Sequence, residues 1–200
     1  MNAKFRARSA WALMLGALLP GFAGGETYQI DPNHSAVGFR IRHLVSKVPG
    51  RFTKFEGTFD YEAGKPASWK AWAKIDAASI DTNVAKRDDH LRSPDFFDVQ
   101  KCPALEFKST KVSAAKGDSA RLHGDLTIHC VTKPVVLDLE IGGAAKDPWG
   151  QARAGATGRA KINRKDFGLT WNKALEAGGF LVGDEVEITI EVEGIAAPKG

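Results

Sequence analysis

The sequence predicts an all-β domain, an antiparallel sandwich or barrel interrupted by one helix. Three observations lead there. Apolar and polar residues alternate with period two through most of the chain, turn-forming residues separate the alternating runs at short intervals, and one segment breaks the alternation with a helical pattern.

In chain order, Val37, Phe39 and Ile41 alternate with Gly38, Arg40 and Arg42. Phe55, Gly57, Phe59 and Tyr61 alternate with Glu56, Thr58 and Asp60, and Trp69, Ala71, Ala73 and Ile75 with Lys70, Trp72, Lys74 and Asp76. Leu122, Leu126 and Ile128 form the next apolar set, then Val135, Leu137, Leu139 and Ile141. Ala154, Ala156, Gly158, Ala160 and Ile162 make a strand of small residues, and Val186, Ile188, Ile190 and Val192 end the series against a row of glutamates. Turns are expected at Gly64-Lys-Pro66 and Lys116-Gly-Asp118, at a break around Gly142 and Gly143, and at Asp147-Pro-Trp-Gly150, whose Pro and Gly suit a type I turn. Residues 81–91 read as a helix capped by Asp81 or Thr82 and stopped by Pro94, with a second helical turn expected near residues 44–47. Roughly eight strands at this spacing argue for a sandwich or a barrel. Alternation marks an apolar face, but it does not say whether that face fills a core or lines a cavity, since an eight-stranded barrel can do either.

The first residues differ from the rest. Lys4, Arg6 and Arg8 precede an apolar run from Ala10 to Leu19, and Gly21-Phe22-Ala23 offers small residues before a cut after Ala23. That order is the layout of a secretory signal peptide, and the apolar run is too short to span a bilayer. Residues 1–23 are therefore expected to be removed, leaving one domain over residues 24–200, exported and periplasmic. The whole chain is +4, but residues 1–23 carry three basic and no acidic residues, so the remainder has 25 basic against 24 acidic, or +1. No basic surplus remains to argue for nucleic acid as a partner.

Several stretches together resemble the YceI-like family of exported lipocalin-like proteins. They are His34-Ser-Ala-Val-Gly-Phe39 leading to His43-Leu44, Phe55-Glu-Gly-Thr-Phe59, Ser79-Ile-Asp-Thr82 running into Arg87-Asp-Asp-His-Leu-Arg-Ser93, and Asp95-Phe-Phe-Asp98. Further on come Gly124-Asp-Leu-Thr-Ile128, Val131-Thr-Lys-Pro-Val135, Asp147-Pro-Trp-Gly150, Ile162-Asn-Arg-Lys-Asp-Phe-Gly168 and Val182-Gly-Asp-Glu-Val-Glu-Ile188. The resemblance implies an extended eight-stranded antiparallel lipocalin-like barrel with one or two short helices and a long apolar tunnel for a polyisoprenoid or an isoprenoid quinone. The family has no agreed enzymatic activity, and a binding protein is expected here, with no cofactor beyond the lipid and with transient membrane contact as the route of lipid exchange. Cys130 departs from the pattern, standing where glycine is expected before Val-Thr-Lys-Pro.

On that reading the tunnel wall is expected from Val37, Phe39, Ile41, Phe52, Phe59, Phe96, Phe97, Phe107, Leu126, Ile128, Phe167 and Trp171. Arg87, His90 and Arg92, in the one segment that interrupts the strands, are candidates for a lipid head group, two guanidinium groups suiting a phosphate. The competing reading pairs these arginines with Asp88, Asp89, Asp95 or Asp98 to fix the loop. Catalysis finds little support: none of the five histidines shows metal-ligand spacing, and Ser35 and Ser93 lack a nucleophile-elbow setting. Scavenging of other hydrophobic compounds such as fatty amides or drugs, and a non-lipid structural or signalling role, remain as alternatives, and homodimerisation by barrel-edge pairing stays open. Cys102 and Cys130 are expected to form a disulfide. Pairing Leu105 with Ile128 and Phe107 with Leu126 makes a hairpin and sets the cysteines one residue off register at its open end, where Pro103 frees Cys102 to turn.

Overall fold

A computed structural model describes residues 25–174 and 181–197. The signal segment expected over residues 1–23 lies outside the described residues. Among the described residues eleven strands follow in order: β1 (Glu26–Ile30), β2 (Ala36–His43), β3 (Ser46–Phe52), β4 (Phe55–Tyr61), β5 (Lys70–Asp76), β6 (Ile80–Asp81), β7 (Ala104–Lys116), β8 (Ser119–Ile128), β9 (Val131–Lys146), β10 (Ala152–Asn163) and β11 (Val182–Ala196). One α-helix, α1 (Ala85–Arg92), separates β6 from β7.

These strands make eight staves. β1 and β2 lie end to end along β11, β3 and β4 lie end to end along that pair, and β5 and β6 continue the next stave. β7 to β11 are the other five, each antiparallel to its neighbour, and β11 meets β1 and β2 to close the ring. The protein is a closed eight-stranded antiparallel barrel. Closure pairs most of the edges that a flat sheet would leave open. One edge left open is that of β3, where among the described residues 46–50 have no strand partner on their outer side. Lys47 and Pro49 there are residue types that blunt an edge.

The expected register of the β7–β8 hairpin holds: Phe107 faces Leu126, and Glu106 faces Thr127. The inner residues of β2 and β3 also meet as the alternation requires. Phe39 faces Gly50, and a Cβ at Gly50 would lie 2.2 Å from the Phe39 ring. The ring lies across its neighbour's bare backbone, an arrangement that fixes register because no other residue fits beneath it.

Three expectations are corrected. Residues 44–47 are not a helical turn but the tip of the β2–β3 hairpin, with Leu44 at φ 50°. Gly142 and Gly143 do not break the chain. β9 runs through them with a bulge against β10, and Gly143 takes a φ of 85°. Neither Asp81 nor Thr82 caps α1, whose N-cap is Val84 without a side-chain bond. Asp81 instead accepts from Asn83 N, and Thr82 donates through its backbone and its hydroxyl to Asp88 Oδ1. His129 and Cys130 lie between β8 and β9. They are the two central residues of the β8–β9 turn, with φ of 50° and 60° between the paired Ile128 and Val131. That is the left-handed pair of a type I′ turn.

Candidate binding cavity

Eight staves of alternating residues put one side chain in two inside the ring. The inner set leaves a cavity of about 420 Å³, lined almost entirely by apolar atoms. Its wall takes in Val37, Phe39 and Ile41 of β2, Phe59 of β4, Ala71 and Ala73 of β5, Phe107 of β7 and Leu126 of β8. β9, β10 and β11 complete it with Leu137 and Leu139, Ala154 to Ala160 at alternate positions, and Val186, Ile188 and Ile190. The small residues of β10 create the space: at Ala156, Gly158 and Ala160 alanine or glycine stands where its neighbours carry leucine, isoleucine or valine.

Below the cavity, α1 and the loop after it close one end. Phe52, Ile75, Ile80, Phe96, Leu105, Ile128, Phe167 and Leu169 form a buried cluster there. Aromatic rings floor the cavity: Phe52 meets Phe97 edge-on at 5.8 Å, and Phe96 meets Trp171 at 5.2 Å. His90 packs edge-on against both Phe96 and Trp171, at 5.1 and 4.9 Å.

Of the twelve residues expected in the wall, eleven line the cavity. Phe167 does not. It sits in a short 3-10 turn, residues Arg164–Phe167, only 2% exposed within the cluster at the closed end. The wall from β9 to β11 was missing from that set, although its alternation was plain in the sequence.

The three polar candidates separate. Arg87 and His90 line the cavity, but each is also held by the protein. Arg87 donates from Nε to Thr82 Oγ1 and from Nη2 to Thr82 O, both at 2.7 Å. His90 Nε2 lies 2.9 Å from Asp95 Oδ2. Arg92 faces away. Its guanidinium donates to Ala78 O, Ile80 O and Asp89, tying α1 to β6, and so it belongs to the loop-fixing reading. Asp88 is indeed the anchor of the segment, but through Thr82 rather than an arginine. Arg164, 2% exposed, also lies at the wall and was not among the candidates.

At the opposite end Arg153 gathers three carboxylates. It donates to Asp147 Oδ2 at 3.0 Å, Asp31 Oδ2 at 3.1 Å and Glu193 Oε1 at 2.6 Å. Asp31 also lies 2.7 Å from His34 Nδ1 and accepts from Asn33 N. Asp31, His34 and Glu193 bring metal-ligand atoms together, but Arg153 already takes up both carboxylates, so the cluster reads as an ionic clamp joining β1, β10 and β11. The hydrogen bond to His34, followed by that from Asn33, holds the Asp31 carboxyl down at about 2. Arg153 draws Asp147 below the ordinary carboxylate range. Carboxyls depressed in the folded state contribute stability that is present above the unfolded value near 4 and is lost as pH falls toward 2. Arg153→Gln is therefore expected to make the fall in stability between about pH 4 and pH 2 shallower. Urea melts at a series of pH values check this, and an unchanged slope would remove Arg153 from the clamp.

Known proteins share both the sequence and the barrel. A "UPF0312 protein" of Pseudomonas aeruginosa is 43% identical over 189 residues, covering 92% of this chain and 95% of its own. A crystal structure of the Campylobacter jejuni YCEI protein superposes with a TM-score of 0.69 at 28% identity, covering 96% of this chain and all of that one. A polyisoprenoid binding domain from Saccharophagus degradans, implicated in plant cell wall breakdown, shares the fold with a TM-score of 0.63 at 16% identity over 85% of this chain and 98% of its own. The family model for the YceI-like domain matches residues 28–194, from within β1 to within β11, and the chain belongs to that family.

Proposed function

We propose that this is an exported binding protein that holds a long apolar lipid, of the polyisoprenoid or isoprenoid-quinone class, in the barrel cavity. One observation carries the reading: the interior of the ring is an apolar space of about 420 Å³ rather than a packed core. Each CH₂ taken from water into such a space contributes about 0.8 kcal/mol, which suits a ligand that is mostly chain. Transfer from a bilayer gains far less, so the affinity that matters is relative to membrane. Export rests on the layout of residues 1–23, and the S. degradans domain lends its ligand class only by likeness of fold.

Binding is favoured over catalysis because the two polar candidates that line the cavity are already engaged. Arg87 is held by Thr82 and His90 by Asp95. Arg87 keeps guanidinium N–H groups beyond those bonds, which suits weak contact with a head group better than proton transfer.

Organic extraction of protein recovered from the periplasm, followed by mass spectrometry, tests the proposal directly. A prenyl or other long-chain lipid at near one per protein is expected, and a ligand-free protein that also fails to take up a polyprenyl probe would end the reading. Ala156→Phe gives the sharper test. The ring fills existing space on β10, so stability should stay within about 1 kcal/mol of the parent, while co-extracted lipid falls at least tenfold. Parental lipid content in a folded Ala156→Phe protein would place the ligand elsewhere.

A further inference from the structure

The turn joining β2 to β3 holds two apolar residues out in solvent. Val45 is 93% exposed and Leu44 is 48% exposed, at a tip where asparagine and glycine are the ordinary choice. The hairpin beneath, residues 36–52, carries Arg40, Arg42, Lys47 and Arg51 and no carboxylate. All four cations are exposed. Lys47 pairs with Glu187 and Arg51 with Asp81. Arg40 acts on Glu187 only through space, and neither Arg40 nor Arg42 has an ion pair among the described residues. On the inner side His43 and Val48 of the same hairpin line the cavity, as do Val182 across from His43 and Arg87 and His90 on α1. The tip therefore overhangs the end of the cavity.

We propose that the β2–β3 hairpin docks on an anionic lipid bilayer, with Leu44 and Val45 entering the headgroup region and Arg40 and Arg42 facing lipid phosphates. An apolar tip set in a cationic collar is the combination that binds such a surface. Two protruding side chains are far too small a patch for a stable protein interface, which needs about 800 Å² from each partner. That docking serves to load the cavity rests on the carrier reading above; the docking itself does not.

Flotation with vesicles checks the proposal. The protein is recovered from periplasmic expression of the full chain and mixed with vesicles of phosphatidylethanolamine and phosphatidylglycerol, or of phosphatidylcholine alone. Binding is expected to the anionic vesicles only. It should fall at least tenfold in Leu44→Asp/Val45→Asp and in Arg40→Gln/Arg42→Gln, neutralised cations contributing about fivefold each. Val45→Asp alone changes a side chain almost wholly in solvent, so it keeps the test valid if the double variant misfolds. Trp149→Asp alters the exposed side chain of the β9–β10 turn, at the other end of the barrel, and should leave binding unchanged. Equal binding to phosphatidylcholine, undiminished binding of Val45→Asp, or loss with Trp149→Asp instead would each overturn the proposal. So would a dimer in light scattering that Val45→Asp dissolves while vesicle binding persists, since the tip would then pair two copies. Vesicle binding by a protein that carries no lipid would leave the docking standing and remove the carrier reading, and carried lipid without vesicle binding would do the reverse.

Discussion

Arg164→Leu is expected to destabilise the barrel by about 3–5 kcal/mol, the range for removing one member of a buried charged network. The guanidinium is 2% exposed. Its Nε donates to Gly183 O at 2.9 Å, and Nη1 donates to Leu169 O at 2.5 Å and Trp171 O at 2.8 Å. Nη2 reaches Asp184 at 3.3 Å. One side chain thus satisfies three carbonyls and ties the turn after β10, and the chain beyond it, to the start of β11. Burial pulls the Arg164 pKa below its ordinary value, and the carbonyls and Asp184 keep the charge tolerable. Leucine fills similar space but leaves three acceptors without a donor, each costing about 1–3 kcal/mol where water cannot reach. Arg164→Lys keeps the charge but cannot reproduce the planar fork, so it should recover less than half of the loss. Urea denaturation with an unchanged slope reads both values. An Arg164→Leu protein within 1 kcal/mol of the parent would show that the carbonyls find other donors. Because Leu169 and Trp171 line the cavity, the destabilised variant should also hold its ligand less tightly.

The inner face of the ring was legible because side-chain period in a strand is fixed at two. Once Val37, Phe39 and Ile41 point inward, so must every second residue across the pairing, and the structure follows that pattern through β9, β10 and β11. Whether the face encloses space was not legible, because that depends on how many staves close and how they bend. β1 and β2 share a single neighbour, β11, a non-local fact that no local pattern encodes. β3 was hidden by its own sequence: Pro49-Gly50 reads as a turn, yet Gly50 is needed under the Phe39 ring. At the helix the segment was legible but not its rotational phase. Arg87 and His90, three apart, share the cavity side, and Arg92 falls on the other. Phe167 failed for a different reason: it lies in a 3-10 turn, where strand alternation has no authority. Arg164 stood in a recognised motif with no role attached, since a buried arginine looks in sequence like any surface one.

Breaking the disulfide between Cys102 and Cys130 should produce the second large effect, and the two cysteines should not be equivalent. Their Cα atoms are 5.5 Å apart and 28 residues apart in sequence. A loop of that length is worth roughly 3–4 kcal/mol by chain entropy, and somewhat less here because β7 and β8 pair inside it. The off-register problem is resolved at both ends. Cys102 precedes β7 and is fixed by its N–H to Asp98 O, and Cys130 belongs to the β8–β9 turn rather than to a strand. Its φ of 60° is left-handed, a conformation costing an L-residue about 1–2 kcal/mol and glycine almost nothing. The bond therefore holds in place a cysteine that the turn itself disfavours. Cys102→Ala should lose about 2–3 kcal/mol, keeping the strained Cys130 without its anchor. Cys130→Gly loses the same bond but relaxes the turn, so it should be the more stable of the two by about 1 kcal/mol. Urea melts of both variants, with thiols blocked to prevent intermolecular pairing, read the difference. If Cys130→Gly is no more stable than Cys102→Ala, the left-handed turn is not strained by its cysteine. If both lie within 0.5 kcal/mol of the parent, the loop after α1 is anchored by the aromatic cluster of Phe96, Phe97 and Trp171 rather than by the bond.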